Sequence, residues 1–142
     1  MEIKNFHATS VVIDNFGLMI SGLSGSGKSD LALRLIDSGA TLVSDDITIC
    51  KRVNNKVYLF SPNKTKGLLE VREIGIINVP YVENINLVMI IHLLKKNNER
   101  IPEKKFKRIL GLDFPVLSLN GKTPSSVIKV KVKLNEITEI RK

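Results

Sequence analysis

The octet GLSGSGKS, residues 22–29, constrains this chain more than any other stretch. It fits G-x-x-x-x-G-K-[ST], a phosphate-cradling loop that a strand enters and a helix leaves. Gly22, Gly25 and Gly27 let backbone N–H groups turn inward on phosphate oxygens with no Cβ in the way. The helix that follows adds the partial positive charge of its N-terminus. Lys28 is placed to reach the β- and γ-phosphates, and Ser29 to set its hydroxyl on Mg²⁺. The expected nucleotide-binding set is therefore Gly22, Leu23, Ser24, Gly25, Ser26, Gly27, Lys28 and Ser29.

The flanks supply the required context. ATSVVI (8–13) and LMISGL (18–23) are apolar runs separated by Asp14-Asn15-Phe16-Gly17, so residues 8–21 predict a hairpin whose second arm feeds the loop. Behind the loop, Leu31, Ala32, Leu35 and Ile36 form one apolar stripe and Gly39 a stop, predicting a helix over 28–38. A buried strand, TLVSDDITI (41–49), is expected next, then a hairpin about Asn54-Asn55 joining KRV to KVYLF. Residues 61–67 read as a loop, and LLEVREIGIINV (68–79) and LVMIIHLL (87–94) as strands, the second central to a sheet. KKNNERIPEKKFKR (95–108) reads as a basic loop leading into a short helix. VIKVKVKL (127–134) alternates and predicts a strand with lysines on one face. The expectation is a strand-rich α/β core with no repeat or linker, one domain over 1–142.

Composition narrows the function classes. The net charge of +8 is compatible with an acidic partner such as nucleotide phosphate. No Lys/Arg block marks a nucleic-acid arm, and aromatic residues, at 5%, are too few to stack on bases. The single cysteine, Cys50, excludes an internal disulfide and a cysteine metal cluster, and its alternating apolar run reads as a packed thiol. No apolar run reaches the ~18 residues of a spanning helix, and MEIKNFHATS lacks the apolar centre of a signal peptide, so a cytoplasmic protein without a membrane partner is expected.

Phosphoryl transfer needs carboxylates beside the phosphates and a group to position the acceptor. Asp45 and Asp46, at the end of the apolar run after the helix, are the candidates. Neighbouring strand side chains point to opposite faces, so the two play different roles unless the strand bends there. Other phosphate-loop classes fit less well. Asn63-Lys64-Thr65-Lys66 starts like a guanine-reading motif but ends in lysine. LVMIIH ends in His92, read as a sheet histidine, where a standard ATPase would end in aspartate. Residues 95–108 are the one candidate for a metabolite-kinase lid.

Together, GLSGSGKSDLALRLIDSGATLVSDDITI and GLLEVREIGIINV resemble the bacterial HPr kinase/phosphorylase family, with the doubled aspartate and the L-L-E-V-R segment as discriminating features. The likeness runs from about His7 to about Pro115. It implies a P-loop kinase core like the C-terminal domain of that family, itself similar to the nucleotide-binding core of phosphoenolpyruvate carboxykinases. It also implies a kinase that uses ATP and Mg²⁺ to phosphorylate a serine of the phosphocarrier protein HPr. Many members run the reverse phosphorolysis, pyrophosphate is a conceivable alternative donor, and members form hexamers. By the same resemblance Asp46 would be general base toward the serine and general acid in reverse. Lys28 would hold the transferred phosphates, and Ser29, Asp45 and Glu70 would serve Mg²⁺. His7 would be an active-site histidine, and Arg108 an arginine of the reverse direction.

The sequence departs from the family in places. Glu73 stands where the family usually has glycine. SLNGKTPSS (118–126) replaces a Pro- and Gly-Arg-containing segment tied to phosphorolysis. The N-terminal domain and C-terminal helices of longer members have no counterpart in these residues, so a short form with only the catalytic domain is expected. The departures keep two other readings open: a kinase of the same fold with a different acceptor, and a nucleotide-binding regulatory module without turnover.

Overall fold

The computed structural model describes residues 2–94 and 105–140. The hairpin that feeds the loop forms as expected: β2 (Thr9–Ile13) pairs antiparallel with β3 (Phe16–Gly22), Ile13 opposite Phe16. Asp14 and Asn15 between them have φ of 49° and 68°, the two-residue primed turn whose twist matches that of the strands. The hairpin at Asn54 is also present, between β5 (Thr48–Val53) and β6 (Lys56–Phe60). A first strand, β1 (Glu2–Phe6), pairs with β5 outside it.

The remaining strands of the main sheet are β4 (Thr41–Ser44), β9 (Ile85–Leu93), β10 (Phe106–Ile109) and β11 (Leu112–Leu119). The sheet has nine strands, in the order β1-β5-β6-β9-β3-β2-β4, with β11 on β9 and β10 on β11. β9 is central, as its unbroken apolar run predicts. One of its edges lies parallel to β3. On the other edge its first residues pair with β6 and its last four with β11, so the sheet forks there and curls. Side-chain alternation gives each face its own core. Leu18, Ile20, Met89 and Ile91 pack under α1 (Lys28–Asp37) and α2 (Ser126–Ile140). Met19, Ile90, Val43, Cys50 and Leu59 pack on the opposite face. Cys50 is fully buried, and burial pushes its thiol up to about 12, as befits a packed rather than a nucleophilic cysteine.

Four elements differ from expectation. The tail is a helix, not a strand. Its buried residues Ser126, Val130, Leu134, Ile137 and Thr138 keep helical spacing, while Ile128 and Val132, which create the apparent alternation, are exposed. The residues before Ile109 form strand β10, not a short helix; residues 95–104, the rest of the lid candidate, lie outside the described residues. The run 41–49 is interrupted at Asp45-Asp46, where Asp46 takes φ 67°. The run 68–79 is a separate hairpin, β7 (Leu68–Val71) against β8 (Gly75–Asn78), seated through Leu69 and Val71 on Leu42.

Glu73 lies in the turn of that small hairpin with φ 73°, a left-handed conformation that costs a non-glycine residue roughly 1–2 kcal/mol. The turn closes nonetheless, Ile74 N–H donating to Val71 O at 3.1 Å. A glycine would meet this backbone requirement without the strain that Glu73 carries. Glu73→Gly is expected to stabilise the fold by about 0.5–1 kcal/mol, less than the strain removed because glycine also loosens the unfolded chain. Thermal unfolding of the two proteins checks this; an unchanged or lower midpoint would contradict it.

Candidate active site

The loop 22–29 sits at the carboxyl end of β3, where α1 begins. Gly27 caps α1 with φ 98°, and Gly25 has φ 81°. A Cβ built on Gly25 meets nothing within 4 Å, so the loop presents open backbone there. At Gly22 the constraint is opposite: a Cβ would lie 2.7 Å from Ser26 Oγ and 3.0 Å from the Leu93 carbonyl. Lys28 is buried, and its ammonium donates to the carbonyls of Gly22 at 3.1 Å and Leu23 at 3.3 Å, folded back into the bowl of the loop. Ser26 is buried as well, and its hydroxyl has no partner among the described residues.

The aspartates occupy unlike environments, as the bend between β4 and β5 allows. Asp45 is buried and gathers donors from three other segments. Its Oδ1 accepts from Ser29 Oγ at 2.7 Å and Thr9 Oγ1 at 2.9 Å, and its Oδ2 from the Glu70 backbone N–H at 3.0 Å. Asp46 projects into solvent, its side chain 69% exposed, and its Oδ1 lies 2.8 Å from His7 Nε2. The Asp46 backbone N–H donates to the same Thr9 hydroxyl at 3.2 Å. Thr9 thus fixes both aspartates at once. Sequence reasoning missed it, since a threonine in a strand of mixed small and branched residues carries no signal of its own.

Of the residues singled out from the sequence, Ser29, Asp45, Asp46, His7 and Glu70 are brought together next to Lys28, although Glu70 joins through its backbone and its side chain faces solvent. β7 reaches Asp45 from a loop anchored at Glu83. Burial there would raise the Glu83 carboxyl, but the Lys66 ammonium at 2.9 Å and the Ser61 N–H hold it below the usual range. Arg108 is not part of this cluster. It lies exposed on β10, paired with Asp113 of the same hairpin at 3.1 Å, which raises its own pKa further.

Lys122 also lies close to the loop. The Arg34 guanidinium, on α1, donates to the carbonyls of Gly121 and Thr123, and Lys122 N–H to Asn120 Oδ1 at 3.0 Å. The loop so held lays the Lys122 side chain about 4.0 Å from where a Cβ on Gly27 would be, beside the start of α1. Among the described residues no three His, Cys, Asp or Glu side chains form a metal-holding group, and no helix is long and apolar enough to cross a membrane.

A strand-rich α/β core with a phosphate loop at the end of a central strand and a carboxylate pair beside it defines a P-loop kinase type of fold. The profile of the HPr Serine kinase C-terminal domain matches residues 1–140. The HPr kinase/phosphorylase of Prosthecochloris aestuarii is 31% identical over 150 residues, covering 94% of this chain and 44% of that protein. That of Malacoplasma penetrans is 32% identical over 142 residues, covering 89% and 47%. The solved structure of the Hpr(Ser) kinase/phosphatase from Coxiella burnetii matches with a TM-score of 0.85 at 27% identity, covering 98% of this chain and 99% of that one. The chain belongs to the family of the HPr serine kinase C-terminal domain. It spans less than half the length of the curated relatives named here.

Proposed function

We propose that this chain is an ATP- and Mg²⁺-dependent kinase that phosphorylates a serine of HPr. The observation that carries the reading is the split of the aspartate pair: one carboxylate buried against the loop serine, the other held exposed by a histidine where an incoming hydroxyl can meet it. A serine hydroxyl is a weak nucleophile at neutral pH, and a carboxylate within hydrogen-bond reach accepts its proton as the bond to phosphorus forms. Asp46 takes that role. His7, donating to Asp46 Oδ1, holds the carboxylate in one orientation. The loop N–H groups and Lys28 receive the phosphates; the ammonium exchanges its two loop carbonyls for phosphate oxygens.

Ser29 Oγ, Asp45 and the Glu70 side chain would hold Mg²⁺. The residues fit that ion, because Mg²⁺ in such sites uses one or two carboxylates together with waters and substrate phosphates and needs no protein cage. When bound, it neutralises charge on the transferred group.

In reverse, inorganic phosphate attacks the phosphorus of phosphoserine, the bond to the serine oxygen breaks, protonated Asp46 gives its proton to that leaving oxygen, and pyrophosphate is released. A hexameric assembly is taken from the family resemblance; pyrophosphate as an alternative donor to ATP and a cytoplasmic location belong to the same proposal. A single domain over 1–142 also belongs to it, supported by cores that run across the whole sheet. The test is phosphate transfer from ATP to purified HPr, followed by mass spectrometry. A phosphoserine on HPr is expected. ATP turnover without labelled HPr would favour another acceptor, and ATP binding without turnover a regulatory module.

A further inference from the structure

The phosphate loop has carboxylates on one side and a cavity on the other. Crossing the sheet from β4, the order is β2, β3, β9, β11, so Asp45, Asp46, Thr9 and His7 lie to one side of β3. On the opposite side, a cavity of about 180 Å³ opens among Ser21, Ile90, His92, Phe106, Val116 and Ser118, with Lys107 at its wall. The lining is mostly apolar, and the register sets a few polar side chains into it. Ser21 pairs with His92, and His92 with Ser118, so a hydroxyl, an imidazole and a hydroxyl stand in one row across three parallel strands. They point to the face away from α1, one pleat beyond the buried Met19 and Ile90. The row lies at the carboxyl ends of the strands, where open α/β sheets take their ligands. Ser21 directly precedes Gly22, the first residue of the loop. Phe106, on β10, closes the cavity as a 60% exposed ring.

We propose that this cavity is the nucleoside subsite of the phosphate donor, taking its base and ribose, with Phe106 as stacking surface and His92 and Ser118 as hydrogen-bonding groups. The proposal rests on the reading of residues 22–29 as a phosphate site. The occupant follows from three observations. Ser21 both lines the cavity and directly precedes Gly22 of the loop. Its volume suits a heterocycle, since a cavity of about 150 Å³ already takes up benzene. Its position leaves the phosphates between base and carboxylates, so that the terminal phosphate faces Asp46. His92, an ordinary sheet histidine by sequence, becomes a residue that selects the donor.

The experiment is calorimetric binding of ATP and of inorganic tripolyphosphate, both with Mg²⁺, to the full chain and to Ser118→Leu and Phe106→Ala. The wild type is expected to bind ATP at least about 10-fold more tightly than tripolyphosphate. Ser118→Leu fills the cavity and is expected to weaken ATP about 10-fold or more while leaving tripolyphosphate unchanged. Phe106→Ala, at an exposed position that does not threaten folding, should weaken ATP about 10-fold with the same selectivity. Retained tripolyphosphate binding reports a folded loop in both variants. The proposal is overturned if the wild type binds the two ligands equally, or if Phe106→Ala weakens neither or both alike. Failure of the wild type to bind either ligand would instead remove the phosphate-site reading, and this proposal with it.

Discussion

Asp46→Asn is expected to lower phosphate transfer by about 10²–10⁴-fold, the usual contribution of a positioned base, while ATP affinity and the unfolding midpoint stay at wild-type values. The backbone makes this substitution unusually clean. Asp46 has φ 67°, and asparagine is, with aspartate, among the few side chains that adopt this region readily. The amide can keep the contact to His7 Nε2 through its carbonyl oxygen, and the backbone N–H still reaches Thr9. What is lost is the capacity to accept a proton. Single-turnover transfer measured beside ATP binding separates the roles, and transfer at the wild-type rate would sink the assignment of Asp46 as base.

Asp45→Ala is expected to act on stability as strongly as on activity. It leaves two hydroxyls and one backbone N–H at a buried position without their acceptor. Hydrogen bonds to an ionised group contribute about 1.5–3 kcal/mol each, and water can replace only part of them here, so a loss of about 3 kcal/mol is expected. Asp45→Asn keeps one acceptor oxygen and should cost about 1 kcal/mol. Urea unfolding followed by circular dichroism checks both; equal midpoints for wild type and Asp45→Ala would show that the network contributes nothing.

Much of this was legible in the sequence where one local rule decides the outcome. The loop glycines, the α1 stripe, the turns at Asp14-Asn15 and Asn54-Asn55, and central β9 each follow from a few adjacent residues. A short window misleads where it is ambiguous. VIKVKVKL alternates over eight residues, and only the spacing from Ser126 to Thr138 shows the helix. Asp45-Asp46 were visible as a pair, but their separation into a buried and an exposed carboxylate depends on Thr9, Ser29 and Glu70, which no local pattern connects. His92 and Ser118 were invisible as partners because β9 and β11 meet only through the fork in the sheet.

The donors gathered by Asp45 also govern how the protein reaches its working form. Their partners lie 16, 25 and 36 residues away along the chain. Each contact therefore closes a sizeable loop, and its entropy must be met before the carboxylate rewards it. The site cannot precede the fold or outlast it. A chain that has formed α1 and the β2–β3 hairpin but not docked β4 and the bend at Asp45-Asp46 has the glycine-rich loop without the carboxylates beside it. During refolding, phosphate binding should accordingly return before transfer does.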